Sequence, residues 1–176
     1  MKDRTSEAHA RIDALFGRLS LTERDGYGHF LAAHAAAMTG VEALIATAAP
    51  DCGWPGGMAD LASADLADLD LPAPEPMALD PASISDIDGA IYVVAGSNLG
   101  NQVLRRRWQQ STDPKVLRAG RYLSSQRVKS FWPGFVTRLD ERAPDPVAQV
   151  RLIASALATF SHFEAAFAAT QSRLAA

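Results

Sequence analysis

The chain has 176 residues, of which 48% are hydrophobic, so it is long and apolar enough to bury one sizeable core. A formal net charge of -3 argues against nucleic acid as the main partner. The single cysteine, Cys52, excludes an intramolecular disulfide and suits a reducing compartment. We find neither the apolar segment of a signal peptide nor an apolar run near the roughly 20 residues of a membrane span. We therefore expect one soluble, cytoplasmic domain that needs no membrane.

The apolar residues of the N-terminal half recur at helical spacing. This spacing predicts a first helix from about residue 5 to residue 19. Ser20-Leu21-Thr22-Glu23 matches a capping box and predicts that a second helix begins there and runs to about residue 48. A third, short helix is predicted at about residues 58–69, followed by the proline-bearing connection "LPAPEPMALDP".

The C-terminal half continues the helical pattern. A long helix is predicted at about residues 83–110, and "STDP" predicts a short one at 114–123. The next helix, at about 125–142, should kink or restart near Pro133-Gly134. Asp145-Pro146 supplies an N-cap and first residue for a last helix that reaches about residue 174. Because no alternating strand pattern is present, we predict an all-α, single-domain multi-helical bundle of about seven helices.

The long helix at 83–110 contains glycines on one face. Gly89, Gly96 and Gly100 recur at helical spacing, although each costs about 1 kcal/mol relative to alanine in a helix interior. Close packing of two helices is the commoner explanation of such glycines. The alternative is a flat ligand that lies against the exposed backbone, or a helix that bends around a ligand.

A histidine near the N-terminus is predicted to face the core. His9 shares a helix face with Ile12, Phe16 and Leu19, and Lys2 lies two turns earlier on the same side. A hydrogen-bonded core histidine is a commoner explanation than a metal ligand. Opposite a glycine-rich helix, however, this imidazole and its lysine would provide an axial ligand, a flat wall and a positive edge. These are the features that haem needs from a protein.

Two segments carry a family resemblance. The segment "YVVAGSNLG", with its continuation "NQVLRRR", resembles the distal-helix motif of bacterial haem oxygenases, the group that includes iron-acquisition and bacteriophytochrome-associated enzymes. The segment "TSEAHARIDALF" is similar to the proximal segment of that family, and the two segments follow in the same order. The resemblance implies a single haem-oxygenase-like domain over residues 1–176. We expect the protein to be a monomer or weak dimer.

The resemblance also implies roles for individual residues. His9 would be the axial ligand of the haem iron, and the helix that carries Gly96, Ser97 and Gly100 would cover the opposite, distal face of the haem. The remaining predicted haem contacts are at the propionates or in the pocket: Lys2, Tyr92, Lys129 and Asn101. The implied reaction is the cleavage of haem to biliverdin, CO and Fe²⁺, with consumption of O₂ and electrons.

Two positions depart from the family pattern. Ala95 stands where many relatives have glutamate, and Asn101 replaces the usual glycine or alanine, so it would crowd the pocket or add a hydrogen bond. These departures leave turnover and regiospecificity open. They also leave open a second function on the same fold, a haem-binding sensor or carrier without catalysis.

The electrons must come from another protein, because the chain has no dinucleotide fingerprint and no iron–sulfur cysteine set. The expected donor is a ferredoxin or a flavoprotein reductase. "RRRW" at 105–108, with Arg118 and Arg121, is a candidate basic patch for that donor, although a solvated helix face is the commoner explanation. Unrelated activities find less support, since a di-iron oxygenase wants Glu-x-x-His pairs that the sequence lacks. His29, His34 and His162 are predicted to be ordinary core or surface residues.

Overall fold

A computed structural model describes residues 2–142 and 145–174, apart from the side chains at positions 2, 3, 98–101 and 172–174. The described residues form eight α-helices and one 3₁₀ turn and contain no strand. In chain order the elements are α1 (Lys2–Gly17), α2 (Arg24–Ala48), α3 (Met58–Asp68), the 3₁₀ turn (Pro81–Ser83), α4 (Ile87–Trp108), α5 (Pro114–Arg118), α6 (Arg121–Ser124), α7 (Arg127–Asp140) and α8 (Pro146–Leu174).

The predicted all-α class is confirmed, but the predicted number of about seven helices is too low. The stretch at 114–123 is two short helices, because the chain turns at Ala119 and Gly120. The ring of Trp108 fills the space beside Gly120, where a Cβ would lie 2.5 Å from the indole. The other additional element is the 3₁₀ turn, which Asp80 caps by accepting a hydrogen bond from the Ala82 amide.

The predicted capping box at Ser20–Glu23 is wrong. Helix α2 begins only at Arg24, and Glu23 occupies the N-cap position without a side-chain hydrogen bond to the helix. The Ser20 and Thr22 hydroxyls lie 3.0 Å apart and bond to each other. Gly26 lets the Ser20 backbone cross the first turn of α2, since a Cβ there would lie 2.3 Å from the Ser20 carbonyl oxygen. This backbone contact replaces the local cap.

The centre of the bundle is formed by α2 and α8. Helix α2 is buried on most of its circumference, and its alanine-rich sequence lets α3 and α8 pack closely against it. Helices α1 and α4 both pack mainly on α8. Helix α7 continues through Pro133 as a single helix rather than restarting there, and it packs on α4. Helices α1 and α4, which carry the predicted site residues His9 and Gly96, therefore share α8 as a neighbour.

Two described helices are long and apolar enough to cross a membrane by length and composition, contrary to the sequence expectation. They are Arg24–Ala48, with mean hydropathy 1.4, and Pro146–Gln171, with mean hydropathy 1.3. Both are the central helices of the bundle, and half or more of each is buried by other helices. Burial in the core accounts for their apolar composition.

Candidate functional site

His9 lies at the exposed edge of α1. Its side chain is 58% exposed, whereas Ala8 and Phe16 on the same helix are buried. The expectation that His9 occupies a core position is therefore wrong. His9 lies at the border of the buried stripe, and its Nδ1 atom lies 3.0 Å from the carboxylate of the exposed Asp13, one turn later. The ring also meets Phe160 of α8 edge to face, with 6.0 Å between centroids.

This contact determines the chemistry that the imidazole can offer. When Nδ1–H donates to the Asp13 carboxylate, the lone pair of the neutral ring is on Nε2. Histidines that bind metals commonly donate their second ring N–H to a carboxylate in this way, which fixes the tautomer and raises the basicity of the ligating nitrogen. The sequence analysis did not identify Asp13, although a His-x-x-x-Asp spacing on one helix face would have indicated it.

The glycines of α4 serve different purposes. At Gly89 a Cβ would lie 2.3 Å from the Leu152 carbonyl oxygen and 2.8 Å from the Ser155 Cβ, so this glycine allows close packing of α4 on α8. At Gly96 a Cβ would lie 3.5 Å from the Trp132 ring, which is an ordinary contact. The packing of the described residues therefore requires glycine at Gly89 but not at Gly96.

Helix α1 and the loop that follows it contact α4 at two places. Near the start of α4, Val93 belongs to the cluster that joins Ala8 of α1 to Phe160 of α8. Near its end, Arg107 donates hydrogen bonds to the carbonyl oxygens of Leu19, at 3.0 Å, and Gly17, at 3.4 Å.

The glycine motif lies between these two attachments. Val93, Gly100 and Arg107 are spaced by seven residues, about two helical turns each, and so share one face of α4. Gly100 therefore lies midway between Val93 and Arg107, on the face of α4 that contacts α1 and the loop after it. The surroundings of Gly100 and Asn101 lie outside the described side chains. Ser97 is exposed, and its hydroxyl donates to the Val94 carbonyl oxygen at 2.9 Å.

The predicted propionate contacts are dispersed. Tyr92 is half-buried with its ring 5.7 Å from that of Trp132, and burial raises the pKa of its hydroxyl. Lys129 of α7 lines a cleft beside Gln102, which lies nine residues, or about two and a half turns, from Val93 and hence on the opposite face of α4. The side chain of Lys2 lies outside the described part. Contacts of these three residues with haem stay predictions.

Part of the predicted basic patch is engaged in contacts within the protein, whereas Arg106 and Arg118 are exposed. Arg107 binds the end of α1, and the buried Trp108 donates its indole N–H to the Val116 carbonyl oxygen at 2.8 Å. Arg121 forms ion pairs with Asp65, at 3.2 Å, and with Asp68. Residues 105–108 are therefore not one solvated helix face.

Of the two predicted locations, core or surface, the other histidines lie in or beside the core. His29 and His162 are buried, and each places Nε2 near a backbone carbonyl oxygen, of Phe167 and Ala37 respectively. His34 lies among four aromatic rings, those of Phe16, Phe30, Tyr122 and Phe163. Burial lowers the pKa of His34 to about 4, so this ring is neutral near pH 7.

Within residues 2–142 and 145–174, no three His, Cys, Asp or Glu side chains form a group able to hold a metal ion. A porphyrin provides four ligands to its own iron, so one imidazole is sufficient for haem. Comparison with protein-family models and with curated proteins finds no match to this chain.

Proposed function

We propose that this protein is a haem oxygenase. It binds haem through His9 and cleaves it to biliverdin, CO and Fe²⁺, with O₂ and with electrons from an external ferredoxin or flavoprotein reductase. The observation that carries the proposal is the contact between His9 and Asp13 at the edge of the buried face of α1. The end of this helix is also joined to α4, the helix that carries the glycine motif, through Arg107.

The His9 side chain suits an axial ligand in three respects. It is more than half exposed, so a ligand reaches it without unfolding of the core. Asp13 orients the ring and leaves Nε2 as the ligating atom. Phe160, a buried residue of α8, supports the ring from the side with an edge-to-face contact.

The face of α4 beside α1 suits a flat substrate. It carries Gly100 between Val93 and Arg107, so the substrate can approach the helix backbone closely there. Gly96, one turn earlier, has no packing requirement for glycine, which is consistent with a requirement set by a ligand. The cost of two helical glycines would be offset when haem binds, because a ligand stabilises the state that binds it.

The described side chains near the motif offer little acid–base chemistry. The Ser97 hydroxyl donates to the carbonyl oxygen of its own helix, so its proton is already committed. Bound haem supplies the iron on which O₂ reacts. The role of α4 is then to limit the space above the haem with backbone and small side chains, and to leave proton delivery to ordered water.

A sensor or carrier without turnover is the competing function. The departure at Ala95 does not favour it, because Ala95 is fully buried and lines the cleft on the opposite side of α4 from Val93. A change from glutamate at this position therefore leaves the face beside α1 unaltered. The case for a sensor or carrier therefore depends on Asn101, the other position that departs from the family pattern.

The test is haem titration of the wild type and of His9→Ala, followed by reduction in the presence of O₂. We expect a histidine-ligated ferric spectrum that is lost or strongly altered in His9→Ala and is restored by added imidazole, since imidazole replaces the missing ligand. On reduction under O₂ the wild type should lose its Soret band and gain biliverdin absorption. Identical titrations of the two proteins would contradict the assignment of His9. A stable oxygen complex without biliverdin would favour a carrier.

A further inference from the structure

A basic cleft lies on the side of α4 away from α1. It has a volume of about 330 Å³ and is bounded by α4, by the end of α6 and by α7. Its lining includes the aromatic side chain of Trp132 and three cationic side chains, Arg105 and Arg106 of α4 and Lys129 of α7. The cleft therefore combines a flat aromatic surface with three cationic groups.

The charge of this cleft is one-sided. None of the residues that line it is acidic. Some arginines elsewhere in the described part of the chain are paired with carboxylates, as Arg121 is with Asp65 and Arg142 is with Asp86 and Asp88. No such ion pair is formed by the three cations of the cleft among the described residues. Their positive potential is thus left uncompensated in one concave site.

Arg105 gives the most specific indication of a ligand. Its Nε atom is buried and has no hydrogen-bond partner among the described residues. A buried donor on a charged group is costly to leave unpaired, so its presence at the rim of a cleft calls for an acceptor. A guanidinium donates most strongly to carboxylate or phosphate oxygens, which it can bind with two parallel hydrogen bonds.

We propose that this cleft binds a small organic dianion, a dicarboxylate or a phosphate monoester. The acidic groups bind Arg105, Arg106 and Lys129, and an apolar body of the ligand lies against Trp132. Gln126 at the rim adds amide groups for further polar contacts. In this proposal Lys129 serves the dianion and not the haem, because the cleft and Val93 lie on opposite faces of α4. Trp132 borders both sites, since its ring also lies beside Gly96.

The test is isothermal titration of the haem-free protein at low ionic strength with three probes: isophthalate, phenyl phosphate and inorganic phosphate. At least one of the two organic dianions should bind, and its affinity should fall about tenfold or more in Arg105→Gln, because a charge-assisted hydrogen bond is lost. The matched control is Arg151→Gln, an exposed arginine of α8 that does not line the cleft. The Arg151→Gln variant should bind the dianion with the affinity of the wild type. Equal thermal unfolding temperatures of the two variants verify that both are folded.

The relative affinities identify the source of the dianion. Tighter binding of phenyl phosphate indicates a phosphate monoester, and tighter binding of isophthalate indicates a dicarboxylate. Equal binding of phenyl phosphate and inorganic phosphate would overturn the role of the Trp132 wall. Absence of binding by both organic probes, or equal affinities for Arg105→Gln and Arg151→Gln, would overturn the site. Binding that persists in His9→Ala supports separate sites, whereas displacement of the probe by haem in that variant would contradict them.

Discussion

The Nδ1 atom of His9 lies 3.0 Å from the Asp13 carboxylate, and both side chains are more than half exposed. Pairs this exposed contribute little to folding, typically less than about 1 kcal/mol. The contact nevertheless selects one tautomer and one orientation of the imidazole. Its main effect is therefore on what Nε2 can bind, and this separation of ligand binding from stability can be measured.

We expect Asp13→Ala to weaken haem binding by about 10- to 100-fold, as is typical when the partner of a metal-bound histidine is removed. The free energy of unfolding should change by less than about 0.5 kcal/mol. Haem titration and urea unfolding measure the two quantities. Glu7→Ala is the control, because Glu7 is a highly exposed carboxylate of α1 whose contact is with Arg11. Equal haem affinity of the Asp13 and Glu7 variants would argue against His9 as a ligand.

The two glycines Gly89 and Gly96 should respond in opposite ways to alanine. Gly89→Ala forces a Cβ against the Leu152 carbonyl oxygen and should destabilise the haem-free protein by about 1–3 kcal/mol. Gly96→Ala meets only the Trp132 ring at 3.5 Å and gains helix propensity, so the stability should stay equal or rise by up to about 1 kcal/mol.

Haem binding gives the second half of this comparison. If a ligand sets the requirement for glycine at Gly96, Gly96→Ala should bind haem more weakly or turn it over more slowly while remaining folded. Urea unfolding and haem titration of both variants provide the measurements. A Gly96→Ala protein with unchanged affinity and turnover would mean that the haem does not lie against this turn of α4.

Helices with strong local signals were predictable from the sequence. Ends such as Ala48 of α2 and Asp145-Pro146 before α8 follow from breakers and caps within a few residues of the boundary. The break at Gly120 was not predictable, because it depends on the ring of Trp108 in another helix. The delayed start of α2 likewise depends on the approach of the Ser20 backbone to Gly26. Tertiary contacts override local preference at both places.

The candidate site was predictable to a similar degree. Periodicity and motif spacing found His9 and the glycine stretch, but periodicity placed the imidazole in the core, where an exposed edge is observed. A residue at the border of a helix face has no unique environment in a one-dimensional pattern. The sequence did not predict that the side chains at 105–108 have different environments. Arg107 and Trp108 bind the carbonyl oxygens of Leu19 and Val116, which lie in other segments of the chain.

The neutral His34 predicts an acid-labile fold. Burial among aromatic rings lowers the pKa of His34 from 6.5 to about 4. The unfolded chain therefore takes up the proton at a higher pH than the folded chain. The contribution of neutral His34 to the free energy of unfolding is complete above about pH 6.5. It is lost as the pH falls toward about 4, with a total loss of roughly 1–3 kcal/mol.

Urea unfolding between about pH 7 and about pH 4 measures this loss of unfolding free energy. In His34→Phe the decline should be smaller, because the group that titrates is gone and an aromatic ring still fills the cluster. A residual slope should remain from His162, whose pKa burial also lowers. An identical decline in the wild type and in His34→Phe would contradict the assignment.

The bond between Arg107 and the end of α1 should control how firmly α1 is held. Arg107 donates to the carbonyl oxygen of Gly17, the last residue of α1, and to that of Leu19, two residues beyond it. In Arg107→Ala we expect a loss of about 1 kcal/mol in unfolding free energy. The amides of the second half of α1 should exchange several-fold faster with solvent, since this end of the helix can open locally.

Arg106→Ala is the matched control, because Arg106 is the exposed neighbour on α4 and lines the cleft on the far side. Hydrogen exchange in α1 should be unchanged in this variant. The two substitutions remove the same charge from adjacent positions, so a difference between them reports the hydrogen bonds to α1 and not the general electrostatics of the helix. Equal exchange in both variants would mean that α1 is held by its packing on α8 alone, and the placement of His9 would then depend on Ala8 and Phe160.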